Sequence, residues 1–126
     1  MIKLVHVRGM LTPTGNFQPT TLSKLSKALE GASLAEFTGF REISDKGKIE
    51  FDRSYSYTSL TPNLTELVLR LQRLLRTKDI KDLKLYGTLM VIMETNDDFP
   101  KLYRVTVENG SVTCKEGSVT WQNKAA

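Results

Sequence analysis

The chain has 126 residues, 40% of them hydrophobic and 25% charged, which excludes a disordered or membrane class and fits one domain, 1–126, with a full core. No apolar run approaches the length that spans a bilayer. Eighteen Lys and Arg against 14 Asp and Glu leave a net charge of +4, a bias toward anionic partners well short of the basic field of a dedicated nucleic-acid binder.

Apolar residues on both alternating sets, Ile2, Leu4 and Met10 on one and Val5, Val7 and Leu11 on the other, predict a strand over 2–11. Such a strand is covered on both faces and belongs near the centre of a sheet. The same alternation makes MIKLVHVRGML unlike a signal peptide, and the lone Cys114 cannot form an internal disulfide. A cytoplasmic protein is the expectation. TPTGNFQPTT, with Pro13, Gly15 and Pro19, predicts a loop, the longest irregular segment and the first place for adaptable binding, with Thr14 and Phe17 as candidate contacts.

Thr20 or Thr21 then caps a helix in which Leu22, Leu25, Ala28 and Leu29 recur at helical spacing, Gly31 ends it, and Lys24 and Lys27 face outward. LAEFTGFREI over 34–43 predicts a second strand, with a bulge at Gly39 that lets Phe37 and Phe40 share a face. After the turn SDKGK, a third strand over 49–58 sets Ile49, Phe51, Arg53, Tyr55 and Tyr57 on one side and Glu50, Asp52, Ser54, Ser56 and Thr58 on the other. Burial accounts for the first two of these. Tyrosine hydroxyls prefer a wet rim, so Tyr55 and Tyr57, with Arg53 beside them, are candidate contacts at the sheet's edge.

The second helix follows Pro62, with Asn63 and Glu66 making a capping-box-like start. Leu64, Leu67, Val68, Leu71, Leu74 and Leu75 form its apolar stripe, with Arg70, Arg73 and Arg76 opposite. A long strand over 83–95 ends at the turn NDDFP, where Pro100 cannot continue a ladder. Tyr103, Val105 and Val107 alternate in the next strand, Asn109-Gly110 is a hairpin turn, and the last strand runs through Val112 and Cys114 toward Trp121. The order βαββαβββ predicts an α+β fold: a single, mostly antiparallel sheet of five to six strands with two amphipathic helices on one face. The other face is left partly open to water or to a partner, and self-association through it or through an edge strand is expected.

Chemistry is sparse. His6 is the only histidine and sits between Val5 and Val7, the position of a structural strand residue, and one His with one Cys leaves no zinc set. Glu94, Asp97 and Asp98 crowd one turn and Asp45 another, without the spacing of a calcium loop. Neither phosphate-loop pattern is present. KGKIEF superficially suggests the strand of an RNA-recognition module, but Lys48 and Glu50 stand where its stacking aromatics belong. No metal, cofactor or catalytic set is expected.

The C-terminal stretch YGTLMVIMETNDDFPKLYRVTVENGSVTCKEGSVTW resembles the end of a group of small bacterial α+β proteins of unknown function. They share an aromatic-Arg-Val-x-Val strand, an Asn/Asp-Gly turn and a terminal Val-x-Trp. The resemblance implies a hairpin and no activity. The leading expectation is a small non-catalytic binding or regulatory protein, of the kind phages and mobile elements encode, acting on a protein or a small anionic ligand. The alternative is a weak nucleic-acid binder in which Lys24, Lys27, Arg70, Arg73 and Arg76 contact phosphates.

Overall fold

Alternating apolar residues and one strong hairpin signal build a five-stranded sheet. The computed structural model describes residues 3–15, 17–39, 43–57, 64–95 and 98–117. In chain order the elements are β1 (Lys3–Pro13), α1 (Thr21–Gly31), α2 (Ala35–Thr38), β2 (Ile49–Tyr57), α3 (Leu64–Arg76), α4 (Lys78–Lys81), β3 (Leu85–Thr95), β4 (Asp98–Glu108) and β5 (Ser111–Gly117). The strands lie in the order β2-β1-β3-β4-β5, each antiparallel to its neighbour. The α+β class, the antiparallel sheet and the helices packed on one face are as the sequence predicts.

Register explains where the core sits. Val7 pairs with Arg53 and Val91, Val91 with Tyr103, Leu89 with Val105, and Val105 with Cys114, so the odd-numbered positions of β1 to β4 share one face. Val5, Val7, Leu11, Ile49, Phe51, Leu89 and Val91 on that face are buried with Leu25, Leu29, Phe37, Leu67, Leu71 and Leu74 from the helices. Full burial of each such side chain contributes about 1.5–3 kcal/mol. The opposite face has no covering layer among the described residues. Leu4 and Met10 are each 38% exposed there and Tyr86 is 51% exposed, which corrects the expectation that β1 is covered on both faces. β1 does lie inside the sheet, but only its odd set is buried.

Residues 34–43 depart from the predicted strand. Leu34, Phe37 and Thr38 are buried while Ala35 and Glu36 are exposed, a spacing of three and four that fits a helical turn and not a pleat. Gly39, at φ 71° and ψ 3°, ends the turn in the left-handed conformation, its N–H donating to the Ala35 carbonyl. Glycine adopts this conformation without the penalty a Cβ would bring. Phe40 and the shared face proposed for it lie outside the described residues.

Smaller differences have similar causes. Thr20 precedes α1 without a side-chain cap; instead the Thr21 and Leu22 amides donate to the Gln18 and Pro19 carbonyls. Gly31 is the last helical residue, and Ser33, at φ 57°, takes the left-handed position beyond it. Pro100 lies inside β4, where the register slips between Met93 and Thr95, and an irregularity of that kind tolerates a residue with no N–H. Asn109 and Gly110 both have positive φ, 52° and 76°, the pairing a two-residue type I′ hairpin requires. Asn63 and Trp121 lie outside the described residues.

Candidate functional site

The aromatic residues of β2 are accounted for by packing. Tyr55 is half-buried and meets the edge of Phe37 at 6.4 Å between ring centres and 72° between planes. The Arg53 guanidinium sits 6.0 Å from the Tyr55 ring centre, and that of Arg70 lies 5.4 Å from the Phe37 ring centre. Arg53, Tyr55, Phe37 and Arg70 thus form a cation–aromatic–aromatic–cation stack that joins the edge strand to α2 and α3. The Tyr57 side chain lies outside the described residues.

Arg70 is fixed further. Its guanidinium donates to the Ser33 carbonyl at 2.9 Å and lies 3.2 Å from a Glu36 oxygen and 3.6 Å from a Glu66 oxygen. Only 17% of the side chain is exposed. A buried cation needs such partners, so Arg70 is a structural clamp between α3 and the α1–α2 corner and does not stand out from the helix as Arg73 and Arg76 do.

Thr14 and Phe17 are also held within the fold. The Thr14 hydroxyl donates to the Lys84 carbonyl at 2.5 Å, and the amides of Thr14 and Gly15 reach the Leu83 carbonyl at 3.1 and 2.8 Å. Phe17 packs against the core, close to Gly47. The described part of this loop is pinned to the chain between α4 and β3.

Three of the predicted cations come together. Lys24 and Lys27, one helical turn apart on α1, and Arg73 on α3 line an open groove of about 530 Å³, with Ala28, Gly31, Ala32 and Thr77 completing its wall. Among the described residues no carboxylate lines the groove. Arg76 goes elsewhere, to a second groove of about 490 Å³ with Lys81, Lys84 and the apolar side chains of Leu75, Ile80 and Leu85. A cleft lined by charge of one sign concentrates counter-ions, and both grooves have the size of small-molecule sites.

One constellation could not be seen without the sheet order. On the open face, His6 Nδ1 lies 2.6 Å from Ser54 Oγ and His6 Nε2 lies 3.3 Å from a Glu94 oxygen. Ser54 stands directly across from His6 on β2, and Glu94 is diagonal to it on β3. A serine, a histidine and a carboxylate in this order are the parts of a nucleophile and its base. Acyl transfer also needs donors aimed at a developing oxyanion and a site that excludes water. Among the described residues the neighbouring relief is a wide-open depression of about 440 Å³ beside Arg8, Met10, Glu50 and Asp52, and β1 is paired on both sides, so its amides serve the ladders. The three groups act as a polar bridge across three strands. Arg8 and Asp52, 3.3 Å apart and both mostly exposed, add a cross-strand ion pair of little energetic weight.

Cys114 is exposed on β5, and desolvation by its neighbours pushes its thiol pKa above the ordinary value, away from the thiolate that a nucleophile requires. Among the described residues no three His, Cys, Asp or Glu side chains gather as a metal set would, and no helix is long and apolar enough to cross a membrane. No family model, curated protein or solved structure matches the chain.

Proposed function

We propose that the chain is a non-catalytic binding protein whose ligand is a small multivalent anion, held between α1 and α3. The observation that supports this reading is the convergence of Lys24, Lys27 and Arg73 on one groove with no carboxylate in its wall among the described residues. Arg73 supplies a planar fork suited to phosphate or carboxylate oxygens, and the lysines supply compact charges. The groove is open, so charge and not enclosure provides the affinity, and binding must weaken with salt.

Calorimetric titration with inorganic triphosphate tests this. Affinity is expected to fall about tenfold between 50 and 200 mM salt and to disappear in the variant Lys24→Ala, Lys27→Ala, Arg73→Ala, with the fold intact by circular dichroism. Equal heats from wild type and variant would exclude the groove.

A second reading is favoured by Arg76, Lys81 and Lys84 in the neighbouring groove, which continues the basic surface past the C-terminal end of α3 and suits an extended phosphate backbone. Fluorescence anisotropy with single-stranded and duplex oligonucleotides separates the two. If oligonucleotides bind and triphosphate does not, the nucleic-acid reading replaces the first.

A further inference from the structure

The open face of the sheet carries two features that have no role in the groove on the helical side. Its inner strands carry apolar side chains beside the polar His6, Arg8 and Glu94: Leu4, Met10 and Tyr86 are exposed, and Met90, Ile92 and Leu102 half-buried. Its charge is also divided across the strands. Glu50 and Asp52 project from β2 at one edge, and Arg104 and Lys115, directly paired with each other, project from β4 and β5 at the other. Arg8 lies 3.3 Å from Asp52, so each offsets part of the other's charge and Glu50 carries more of the acidic character of that edge, while Glu94 lies 3.3 Å from His6 on the inner strands. Glu108 lies at the hairpin end of β4.

We propose that this face binds a second copy of the chain, sheet against sheet, about a two-fold axis parallel to the strands. That axis reverses the strand order of the partner, so the acidic β2 edge of each copy crosses the basic β4–β5 edge of the other and the apolar side chains of the inner strands meet. A two-fold axis in the sheet plane but perpendicular to the strands would set acid on acid, and the charge division selects against it. Five strands about 4.8 Å apart with roughly 27 Å of paired length offer about 650 Å² per copy, or roughly 1,300 Å² for two, within the range of stable interfaces. Faces with the natural twist pack in this way about 10 Å apart. The His6–Ser54–Glu94 bridge, already hydrogen-bonded within the copy, can enter such an interface with its polar groups partnered.

Sedimentation equilibrium from 1 to 200 µM tests the proposal with two charge-reversed variants built on exposed side chains, Glu50→Lys with Asp52→Lys, and Arg104→Glu with Lys115→Glu. The expected result is a wild-type dimer, weakening of about tenfold or more in each variant alone, and recovery of dimers when the two are mixed, because the mixture restores opposite charge at both edges. Thermal melts confirm that both variants fold. A wild-type chain that stays monomeric at 200 µM overturns the proposal, whatever else covers the face. So do variants that dimerise unchanged, or a mixture that fails to recover.

Discussion

Replacing Phe37 by alanine is expected to destabilise the protein by about 4 kcal/mol, the range for emptying a buried aromatic site, read from the denaturant midpoint. The side chain is 1% exposed, and its ring pairs with Tyr55 and lies under the Arg70 guanidinium. Its loss therefore opens a cavity and also removes an aromatic pair and a cation–π contact, each worth roughly 0.5–1.5 kcal/mol. Leucine at the same position keeps most of the volume and is expected to cost less than half as much. A loss under 1 kcal/mol for Phe37→Ala would mean that α2 is not seated on the sheet, and the stack from Arg53 to Arg70 would go with it.

Gly87→Ala is expected to cost about 3 kcal/mol, the upper end of overpacking. Gly87 faces Leu11 on β1 while Gly9 faces Leu89 on β3, so glycine and leucine alternate across these two strands. A Cβ on Gly87 would collide with the Met10 carbonyl oxygen and stand 2.9 Å from the Met10 carbonyl carbon. These are backbone atoms in the middle of the sheet and cannot rotate aside, so the strands must separate and stretch ladder hydrogen bonds. Gly110→Ala is the contrast: its Cβ would meet nothing within 4 Å, and only its φ of 76° opposes the change. The expected cost there is about 1 kcal/mol, and a similar loss at both positions in thermal melts would contradict the steric account of Gly87.

The parts of this fold that were legible in the sequence are those set by local periodicity. Leucine at helical spacing gives α3, Asn109-Gly110 gives the last hairpin, and the alternation of β2 correctly places Ile49 and Phe51 in the core. The segment 34–43 was not legible, because four buried or aromatic residues around one glycine fit a bulged strand as well as a single helical turn, and only the docking of Phe37 separates them. The polar bridge on the open face was out of reach for a different reason. Period two puts His6, Ser54 and Glu94 on outward sets, but their contact depends on β1 lying between β2 and β3, which no local rule dictates.

The arginines of α3 show the same limit. Helical spacing places Arg70, Arg73 and Arg76 away from the leucines, yet the neighbours decide what each does. The α1–α2 corner reaches over Arg70 and captures it through Ser33, Glu36 and Phe37. Arg73 faces the lysines of α1, and Arg76 turns toward α4 and the hairpin. A charge pattern on a helical wheel identifies outward positions and leaves open which of them another element will cover.

The division of labour between Arg70 and Arg73 gives the account its most direct test. Triphosphate titration of Arg73→Ala beside Arg70→Ala, each with a denaturant midpoint, is predicted to give opposite results. Arg73→Ala should bind about fivefold or more weakly, having lost one charge-assisted donor, at nearly wild-type stability. Arg70→Ala should lose about 2 kcal/mol of stability, mainly from the bond to the Ser33 carbonyl and the contact with Phe37, and bind as wild type does. Unchanged binding in Arg73→Ala, or a binding loss confined to Arg70→Ala, would contradict the anion groove.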